Sequence, residues 1–301
     1  IKFDATYKES ETYLLGKGIV REGLEKQVFY KRDDGSVWID LSEEGLDEKL
    51  VMRSDGTSVY ITQDIGTCDF KYQDFPMDQS IYVVGNEQDY HFNVLFAIMK
   101  KMGRPYGEGL HHLSYGMVDL PSGKMKSREG TVVDADELMD EMFATAAKHT
   151  LELGKIEELD ENESKSLFRM VGLGALKFFL LKVDPKKRIL FDPKESIEFQ
   201  GHTGPFVQYT YARISAVLRR ASSDGINKIL FSIKDIHLRE QMLLAHLVKF
   251  EEVIEQAARD YTPALLAHYV YDMAKYYNRF YQELSIFNES DDNLVIFRIG
   301  L

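Results

Sequence analysis

The sequence predicts a doubly wound α/β sheet followed by an all-helical domain. Through roughly the first 130 residues, short apolar strands alternate with a helical pattern. Beyond residue 164 the strand signals disappear, and long helical patterns follow one another. Near residue 120 a strand, a glycine-bounded loop and a helix occur in succession, an order typical of sheets that bind ligands at the carboxyl ends of their strands.

The overall composition excludes several classes of protein. With 44% hydrophobic and 29% charged residues among 301, the chain has the make-up of a soluble globular protein. No apolar run is long enough to span a bilayer. The net charge of −12 argues against non-specific nucleic-acid binding, which relies on neutralising many phosphates. The single cysteine, Cys68, has no disulfide partner, so we expect a packing role for it in a reducing cytoplasm.

The strand predictions rest on short runs of β-branched and aromatic residues. Strands are expected at 37–41 and at 57–62, the second preceded by an Asp-Gly turn signal. The run at 80–85 is almost continuously apolar and ends in glycine, as buried parallel strands do. A further strand at 113–120 is expected to lead into the basic loop.

Helical spacing of apolar residues predicts the remaining elements. Asp89 is expected to cap a helix that Gly103 ends, and Asp134 or Asp136 to cap the helix after the basic loop. Further helical patterns occupy 164–182, 204–222, 235–260 and 262–285. The last of these is expected to begin with Thr262 as its N-cap and a proline at the first helical position.

The segment GKMKSREGT, residues 123–131, concentrates cations in an acidic chain. Lys124, Lys126 and Arg128 alternate between two glycines, so in an extended loop they can project from one side. A phosphate could meet these cations, free backbone N–H groups and the N-terminus of the following helix. The simpler alternative is a solvated surface loop, and no G-x-x-x-x-G-K-[ST] order of a P-loop occurs.

The loop sequence resembles the KMSKS signature of class I aminoacyl-tRNA synthetases, in the divergent form found in arginyl-tRNA synthetases. Further segments that resemble this family, in the family's order, are 54–67, 81–92, 201–214 and 262–284. Ordered matches that together cover nearly all of 50–301 are more specific than any one of them. The resemblance implies part of a Rossmann-like catalytic domain at 1–190, followed by a helical anticodon-binding domain at 191–301.

The resemblance also implies a reaction and its partners. The family activates L-arginine with ATP to arginyl-adenylate and transfers the arginine to tRNA(Arg). Mg²⁺ is expected to accompany ATP without a dedicated metal site, and the protein is expected to act as a cytoplasmic monomer away from membranes. Catalytic contacts to phosphate are implied for Lys124, Lys126, Ser127 and Arg128. Because the Lys126-Ser127 order departs from the family's common Ser-Lys, which lysine contacts phosphate stays open.

One family motif has no counterpart in this sequence. The HIGH-type signature that precedes this region in the family, and that holds ATP together with the basic loop, is absent. Both ends of the chain also look cut, because the sequence starts without Met and stops inside an apolar pattern. We therefore expect the C-terminal part of the enzyme, unable to activate arginine by itself.

Carried over residue by residue, the family's arginine pocket implies Tyr60, Asp64 and Gln88. A planar guanidinium with five donors needs a carboxylate for its fork and neutral acceptors for the remaining donors. From the residues alone, other roles stay open. Asp64 could cap a helix that begins at Ile65, Tyr60 could pack its ring in a strand, and Gln88 could lie in a surface loop. His91 receives no role.

In the helical domain, the resemblance points to Phe206 and Tyr209 near the anticodon, where unstacked bases lie on aromatic rings. Arg213 follows on the same helical pattern, and contact with phosphates or simple solvation are equally open for it. Tyr269, Tyr276 and Phe280 recur at helical spacing and are expected in the core.

Two other functions stay open at this point. One is a non-catalytic RNA-binding protein that keeps the synthetase shape, although an intact arginine pocket argues against it. The other is a different class I synthetase, for which Asp64→Asn would leave arginine affinity unchanged.

Overall fold

The computed structural model describes residues 2–12, 14–119, 134–152, 159–226 and 235–301. The chain divides into two compact units, Ile1–Tyr115 and Gly116–Leu301. Among the helices of these described ranges, none combines the length and the apolar character needed to pass through a bilayer.

The first unit combines four helices with two separate sheets in its described residues. Its elements are α1 (Glu9–Thr12), α2 (Gly16–Glu25), β1 (Tyr30–Lys31), β2 (Val37–Ile39), β3 (Lys49–Met52), α3 (Tyr60–Asp74), β4 (Ser80–Gly85), α4 (Asp89–Lys101) and β5 (Leu110–Tyr115). Strands β1, β2 and β3 pair antiparallel in that order. Strands β4 and β5 pair in parallel, and α4 crosses between them. This βαβ unit is the arrangement expected of a doubly wound sheet.

The strand predicted at 57–62 is wrong, because these residues lead into the first turn of α3. Only Ser58 forms an isolated bridge to β3. The Thr62 hydroxyl accepts a hydrogen bond from the Val59 N–H at 3.0 Å and donates one to the Val51 carbonyl. The side chain therefore satisfies a free N–H at the helix start and ties the helix to β3.

Helix α3 lies against α2 with almost no space between the two backbones. A Cβ atom at Gly66 would lie 2.4 Å from the backbone nitrogen of Gly16, so only glycine permits this approach. On its inner side α3 buries Ile61, Ile65 and Cys68, which follow helical spacing. Burial in the N-terminal part of the helix, as far as Cys68, thus holds α3 against the core.

Strand β4 is confirmed, but only one of its sides is buried. Tyr82 and Val84 pack against the core, whereas Ile81 and Val83 are 43% and 62% exposed. The core side chains of this unit that are completely buried include Ile39, Leu41, Val51, Ile65, Val94, Ile98 and Met99. The core therefore lies where α3 and α4 meet the strands.

The second unit is mainly helical. Its elements are β6 (Val118–Asp119), α5 (Ala135–Glu152), α6 (Glu161–Leu181), β7 (Ile189–Leu190), α7 (Pro193–Ser196), α8 (Gly204–Ser223), α9 (Leu238–Leu247), α10 (Phe250–Arg259), α11 (Ala264–Glu283) and α12 (Asp292–Gly300). The short strands β6 and β7 pair in parallel. Helix α6 packs against α5 and α8, and α11 packs against α8, α9 and α10. The predicted run of helices is confirmed, with β7 as an unpredicted strand.

Two predicted elements are each divided in the structure. The strand expected at 113–120 is two strands, β5 and β6, separated at Gly116. The Gly116 N–H donates to the Pro185 carbonyl at 2.7 Å, and a Cβ atom there would lie 2.5 Å from the Lys187 carbonyl oxygen. This close backbone approach redirects the chain. The helix expected at 235–260 is two helices, α9 and α10.

The predicted helix starts agree with the structure in one case and differ in two. The Asp134 carboxylate accepts a hydrogen bond from the Asp136 N–H at 2.8 Å, which confirms Asp134 as a cap. Asp89 is the first residue of α4 rather than its cap. Thr262 does not cap α11, because the helix begins after Pro263 without a side-chain cap hydrogen bond.

Aromatic and aliphatic side chains fill the helical core of the second unit. Tyr269 and Phe280 are 7% and 0% exposed, which confirms that they pack inward, whereas Tyr276 is only partly buried against the same core. The cluster around Phe280 contains Val217, Leu243, Tyr277, Phe280 and Ile286. It joins α8, α9 and α11.

Candidate functional site

Tyr60 and Asp64 lie one turn apart on α3, so their side chains share one face of the helix. Tyr60 is 78% exposed, and the alternative in which its ring packs within a strand is therefore wrong. The Asp64 side chain is 41% exposed. Because α3 has already begun at Tyr60, the alternative in which Asp64 caps a helix starting at Ile65 is wrong too.

The Asp64 carboxylate is held by a residue of the next helix. Asp64 Oδ2 lies 2.6 Å from Nε2 of His91, on the first turn of α4. Gln88 is exposed and ends the short 3₁₀ turn, Asn86–Gln88, that joins β4 to α4. The structure thus brings His91, on the first turn of α4, to the Asp64 carboxylate of α3, and Gln88 directly precedes α4.

Sequence reasoning did not identify His91. The contact joins residues that are 27 positions apart, and no local pattern connects them. One signal was available: His91 follows the apolar strand β4 within a few residues, where a parallel sheet presents its ligand-binding edge.

A second histidine fixes the start of α4 to the sheet. His112 lies on β5, and its Nε2 is 3.0 Å from the Val84 carbonyl oxygen of β4. Its Nδ1 lies 3.3 Å from the carboxylate of Asp89, the first residue of α4, and only 9% of the His112 side chain is exposed. These contacts hold the turn that carries Gln88 at the carboxyl end of β4.

A cavity of about 420 Å³ opens at the N-terminus of α3. Its lining residues are Leu14, Lys17, Arg53, Thr57, Ser58, Val59, Tyr60 and Gln63. The Ser58 hydroxyl is buried without a hydrogen-bond partner. Lys17, Arg53 and the positive end of the α3 helix dipole make this cavity suited to negatively charged groups. Tyr60 is the residue that the cavity shares with the predicted pocket.

Arg104 ties the back of α3 to α2. Its guanidinium donates to both carboxylate oxygens of Glu22, each at 2.8 Å, and lies 2.6 Å from Asp69 on α3. Tyr106 donates a further hydrogen bond to Asp69. The hydrogen bonds from Arg104, together with one from Lys26, lower the pKa of Glu22 to about 2. This network gives the exposed face of α3 a rigid support.

The described part of the chain contains no group of three or more His, Cys, Asp and Glu residues placed to hold a metal ion. Cys68 is a buried free thiol that lies 3.0 Å from the Tyr82 hydroxyl. Burial raises the pKa of this thiol to about 11, so a packing role fits it better than that of a nucleophile.

The predicted phosphate-binding residues Lys124, Lys126, Ser127 and Arg128 lie outside the described residues. The elements on either side of that segment are β6 and α5. Strand β6 ends at Asp119, whose carboxylate accepts a hydrogen bond from Arg188 Nη2 at 2.8 Å. The predicted strand before the basic segment and the predicted helix after it are therefore both present.

In the helical unit, Arg213 lies between two tyrosine rings. Its guanidinium carbon is 4.9 Å from the centre of the Tyr209 ring and 4.7 Å from that of Tyr281. The guanidinium also donates to the side-chain oxygen of Asn278. Tyr209 is 40% exposed, whereas Phe206 is half-buried against Tyr271, with ring centres 5.4 Å apart. The roles of Phe206, Tyr209 and Arg213 at an anticodon stay predictions.

Comparison with protein families gives two matches along the chain. Residues 9–192 match the family described as tRNA synthetases class I (R), catalytic domain, and residues 207–301 match the DALR anticodon binding domain.

Curated relatives match the whole chain. The arginine–tRNA ligase of Amoebophilus asiaticus is 59% identical over 304 residues, which cover 100% of this chain and 51% of the relative. That of Parabacteroides distasonis is 54% identical over 306 residues, with the same coverage. The chain thus spans about half the length of the curated relatives it matches.

Two solved structures share the fold. The arginyl-tRNA synthetase of Thermus thermophilus superposes with a TM-score of 0.78 at 24% identity, covering 96% of this chain and 55% of that one. The Plasmodium falciparum arginyl-tRNA synthetase gives a TM-score of 0.75 at 21% identity, with 98% and 51% coverage. At these identities the likeness establishes the fold, a class I catalytic domain followed by a helical domain.

Proposed function

Because the chain belongs to the class I arginyl-tRNA synthetase family, we propose that it forms part of an enzyme that charges tRNA(Arg) with arginine. In this reaction L-arginine and ATP give arginyl-adenylate and pyrophosphate, and the arginyl group then moves to the terminal ribose of the tRNA. We assign residues 1–190 to the catalytic part and 191–301 to the anticodon-binding part. The boundary between the two compact units lies earlier, after Tyr115. The reason is that α6, in the proposed catalytic part, packs against α8, in the proposed anticodon-binding part.

The observation that carries the proposal is the carboxylate of Asp64, which is accessible and held in place on the same helix face as Tyr60. A guanidinium donates two parallel N–H bonds to a carboxylate, a geometry that an ammonium group does not reproduce. We propose that Asp64 binds this fork, while the Tyr60 hydroxyl and the Gln88 amide oxygen accept the remaining N–H donors. Selection against lysine then follows from geometry as well as size.

Arginine activation needs positioning and charge stabilisation more than proton transfer. The arginine carboxylate attacks the α-phosphate in line with the leaving pyrophosphate, whose developing charge is best met by cations already in place. We propose Lys124, Lys126, Ser127 and Arg128 for that role. Mg²⁺ is expected to arrive with ATP.

For tRNA, we propose that Phe206, Tyr209 and Arg213 meet the anticodon loop. Tyr209 has an accessible ring, and the guanidinium packed against it extends a flat surface on which an unstacked base can lie.

We propose that the 301-residue chain does not activate arginine by itself. Its sequence holds no HIGH-type motif, which in the family binds ATP together with the basic loop. ATP–pyrophosphate exchange that depends on this chain, arginine and tRNA would contradict this. A cytoplasmic location and a monomeric state also stay proposals.

Isothermal titration calorimetry of the chain with L-arginine tests the pocket. Wild type should bind L-arginine better than L-lysine, and Asp64→Asn should raise the arginine Kd about 10- to 100-fold, as expected for losing a charge-assisted bond of about 1.5–3 kcal/mol. Asp47→Asn is the matched control, because Asp47 is an exposed carboxylate of the same unit that accepts a hydrogen bond from Tyr90 and lies outside the proposed pocket. Equal arginine affinity of wild type and Asp64→Asn, or no arginine binding by wild type, would contradict the proposal.

A further inference from the structure

We propose that His91 is a positioning residue of the arginine pocket, whose imidazole N–H holds the Asp64 carboxylate in the orientation that receives the guanidinium. The inference rests on the proposed role of Asp64 as the guanidinium acceptor. It adds a residue that does not itself contact arginine and acts through Asp64.

The geometry of the pair supports this role. His91 Nε2 and Asp64 Oδ2 are 2.6 Å apart, the distance of a strong, charge-assisted hydrogen bond. The His91 side chain is 24% exposed and that of Asp64 41%, so the bond lies at the rim of the protein surface, partly shielded from water. Without this bond, an aspartate this accessible would sample several side-chain orientations. Restricting it to one orientation when arginine binds would cost conformational entropy and so weaken binding.

His91 is itself held firmly. It lies on the first turn of α4 and packs edge-on against the ring of Phe92, which is only 8% exposed. The same turn is fixed to the sheet through Asp89 and His112, whose ring also contacts the Val84 carbonyl. A continuous series of contacts therefore runs from the β4–β5 pair to the Asp64 carboxylate.

The hydrogen-bonding capacity of Asp64 leaves room for both partners. An ionised carboxylate offers about four acceptor positions on its two oxygens. His91 uses one position on Oδ2, and a guanidinium fork uses one on each oxygen. His91 can donate from Nε2 in its neutral form, which places no second positive charge beside the guanidinium. His91 therefore orients the carboxylate without competing with arginine for it.

The test compares two substitutions that differ in one donor group. His91→Phe keeps a ring but removes the N–H, whereas His91→Gln places an amide N–H near the original Nε2. Tyr90→Phe is the matched control, because Tyr90 lies beside His91 and donates to another aspartate, Asp47, at 2.9 Å. Arginine Kd is measured by calorimetry on the full 301-residue chain, and thermal unfolding is followed for every variant.

We expect His91→Phe to raise the arginine Kd about 10-fold, because the freed Asp64 side chain must then be ordered when arginine binds. His91→Gln should lie within about 3-fold of wild type, since its donor is retained. With Asp64→Asn already present, adding His91→Phe should change the Kd no further, because His91 acts through Asp64. Tyr90→Phe should match wild type in both Kd and Tm.

Three results would overturn the inference. One is an unchanged arginine Kd in His91→Phe. Another is weaker arginine binding by His91→Phe that accompanies a lower Tm and is not restored in His91→Gln. That result would indicate a purely structural role for His91. A third is an independent loss from His91→Phe on top of Asp64→Asn. Failure of wild type to bind arginine would instead refute the proposed function itself, and the inference with it.

Discussion

Replacing Arg298 by methionine tests how the C-terminal helix is held in the second unit. Arg298 lies on α12, and its side chain is 7% exposed. Its Nε donates to Glu240 at 2.6 Å, and its Nη1 donates to Glu289 and to the Ser285 carbonyl, each at 2.8 Å. Methionine keeps most of the apolar stem while it removes all three hydrogen bonds.

The expected cost follows from the burial of Glu240, which is 0% exposed. Without Arg298, its carboxylate keeps only the backbone N–H of His237, at 2.6 Å, among the hydrogen bonds described here. Removing one partner of a buried ion pair typically costs about 3–5 kcal/mol, because it leaves an uncompensated charge. For a unit of this size, that corresponds to a Tm lower by about 6–20 °C.

Thermal and urea unfolding, followed by circular dichroism, measure the change. Arg239→Met is the control: Arg239 pairs with Glu283 at 2.6 Å, but their side chains are 27% and 45% exposed, so its loss should cost about 1 kcal/mol or less. Adding Glu240→Gln to Arg298→Met should recover more than half of the lost free energy, because the uncompensated charge is gone. A change in Arg298→Met no larger than that of the control would refute the reasoning.

Three further predictions concern the first unit. The pKa of Glu22 is lowered to about 2, first by Arg104, so its stabilising contribution is present above the unfolded pKa of about 4.3 and lost as pH falls toward 2. Urea unfolding should show Glu22→Gln less stable than wild type at neutral pH and nearly equal to it near pH 2; a gap independent of pH would contradict this. Gly66→Ala should lower the unfolding free energy by about 2 kcal/mol or more, because its Cβ would meet the backbone of Gly16; an unchanged urea midpoint would exclude the clash. Cys68 should resist alkylation at pH 8 until urea unfolds the chain, since burial raises its thiol pKa to about 11, and rapid labelling of the native protein would contradict its placement.

Elements with strong local signals could be predicted from the sequence. Strand β4 and helix α4 were predicted because an apolar run ended by glycine and a helical spacing are local patterns. The start of α3 was missed because its residues Val59, Tyr60 and Ile61 favour strands. Tertiary contacts outweighed that preference: the Thr62 hydroxyl donates to the Val51 carbonyl of β3, and α3 packs one side against α2.

Breaks within predicted elements depended on contacts between distant residues. Gly116 divides a predicted strand because the backbone near Pro185 lies against it, and the sequence around Gly116 does not reveal that neighbour. In the antiparallel sheet β1–β2–β3, only the central strand was predicted, at 37–41. The pairing of this strand with β1 and β3 could not be read from its own sequence.

Of the candidate site, the residue types were predictable and their surroundings were not. Tyr60 and Asp64 could be named because a Y-x-x-x-D spacing is visible in the sequence. His91 acquires its role only when α4 packs against α3, which brings it to Asp64. The stacking of Arg213 between Tyr209 and Tyr281 depends in the same way on the packing of α8 against α11.

A crystal structure of the chain soaked with L-arginine tests the central claim most directly. We predict the guanidinium within about 3 Å of both Asp64 carboxylate oxygens, the distance of a hydrogen bond, with the His91 contact retained. Arginine bound elsewhere, with Asp64 in contact with His91 alone, would contradict it.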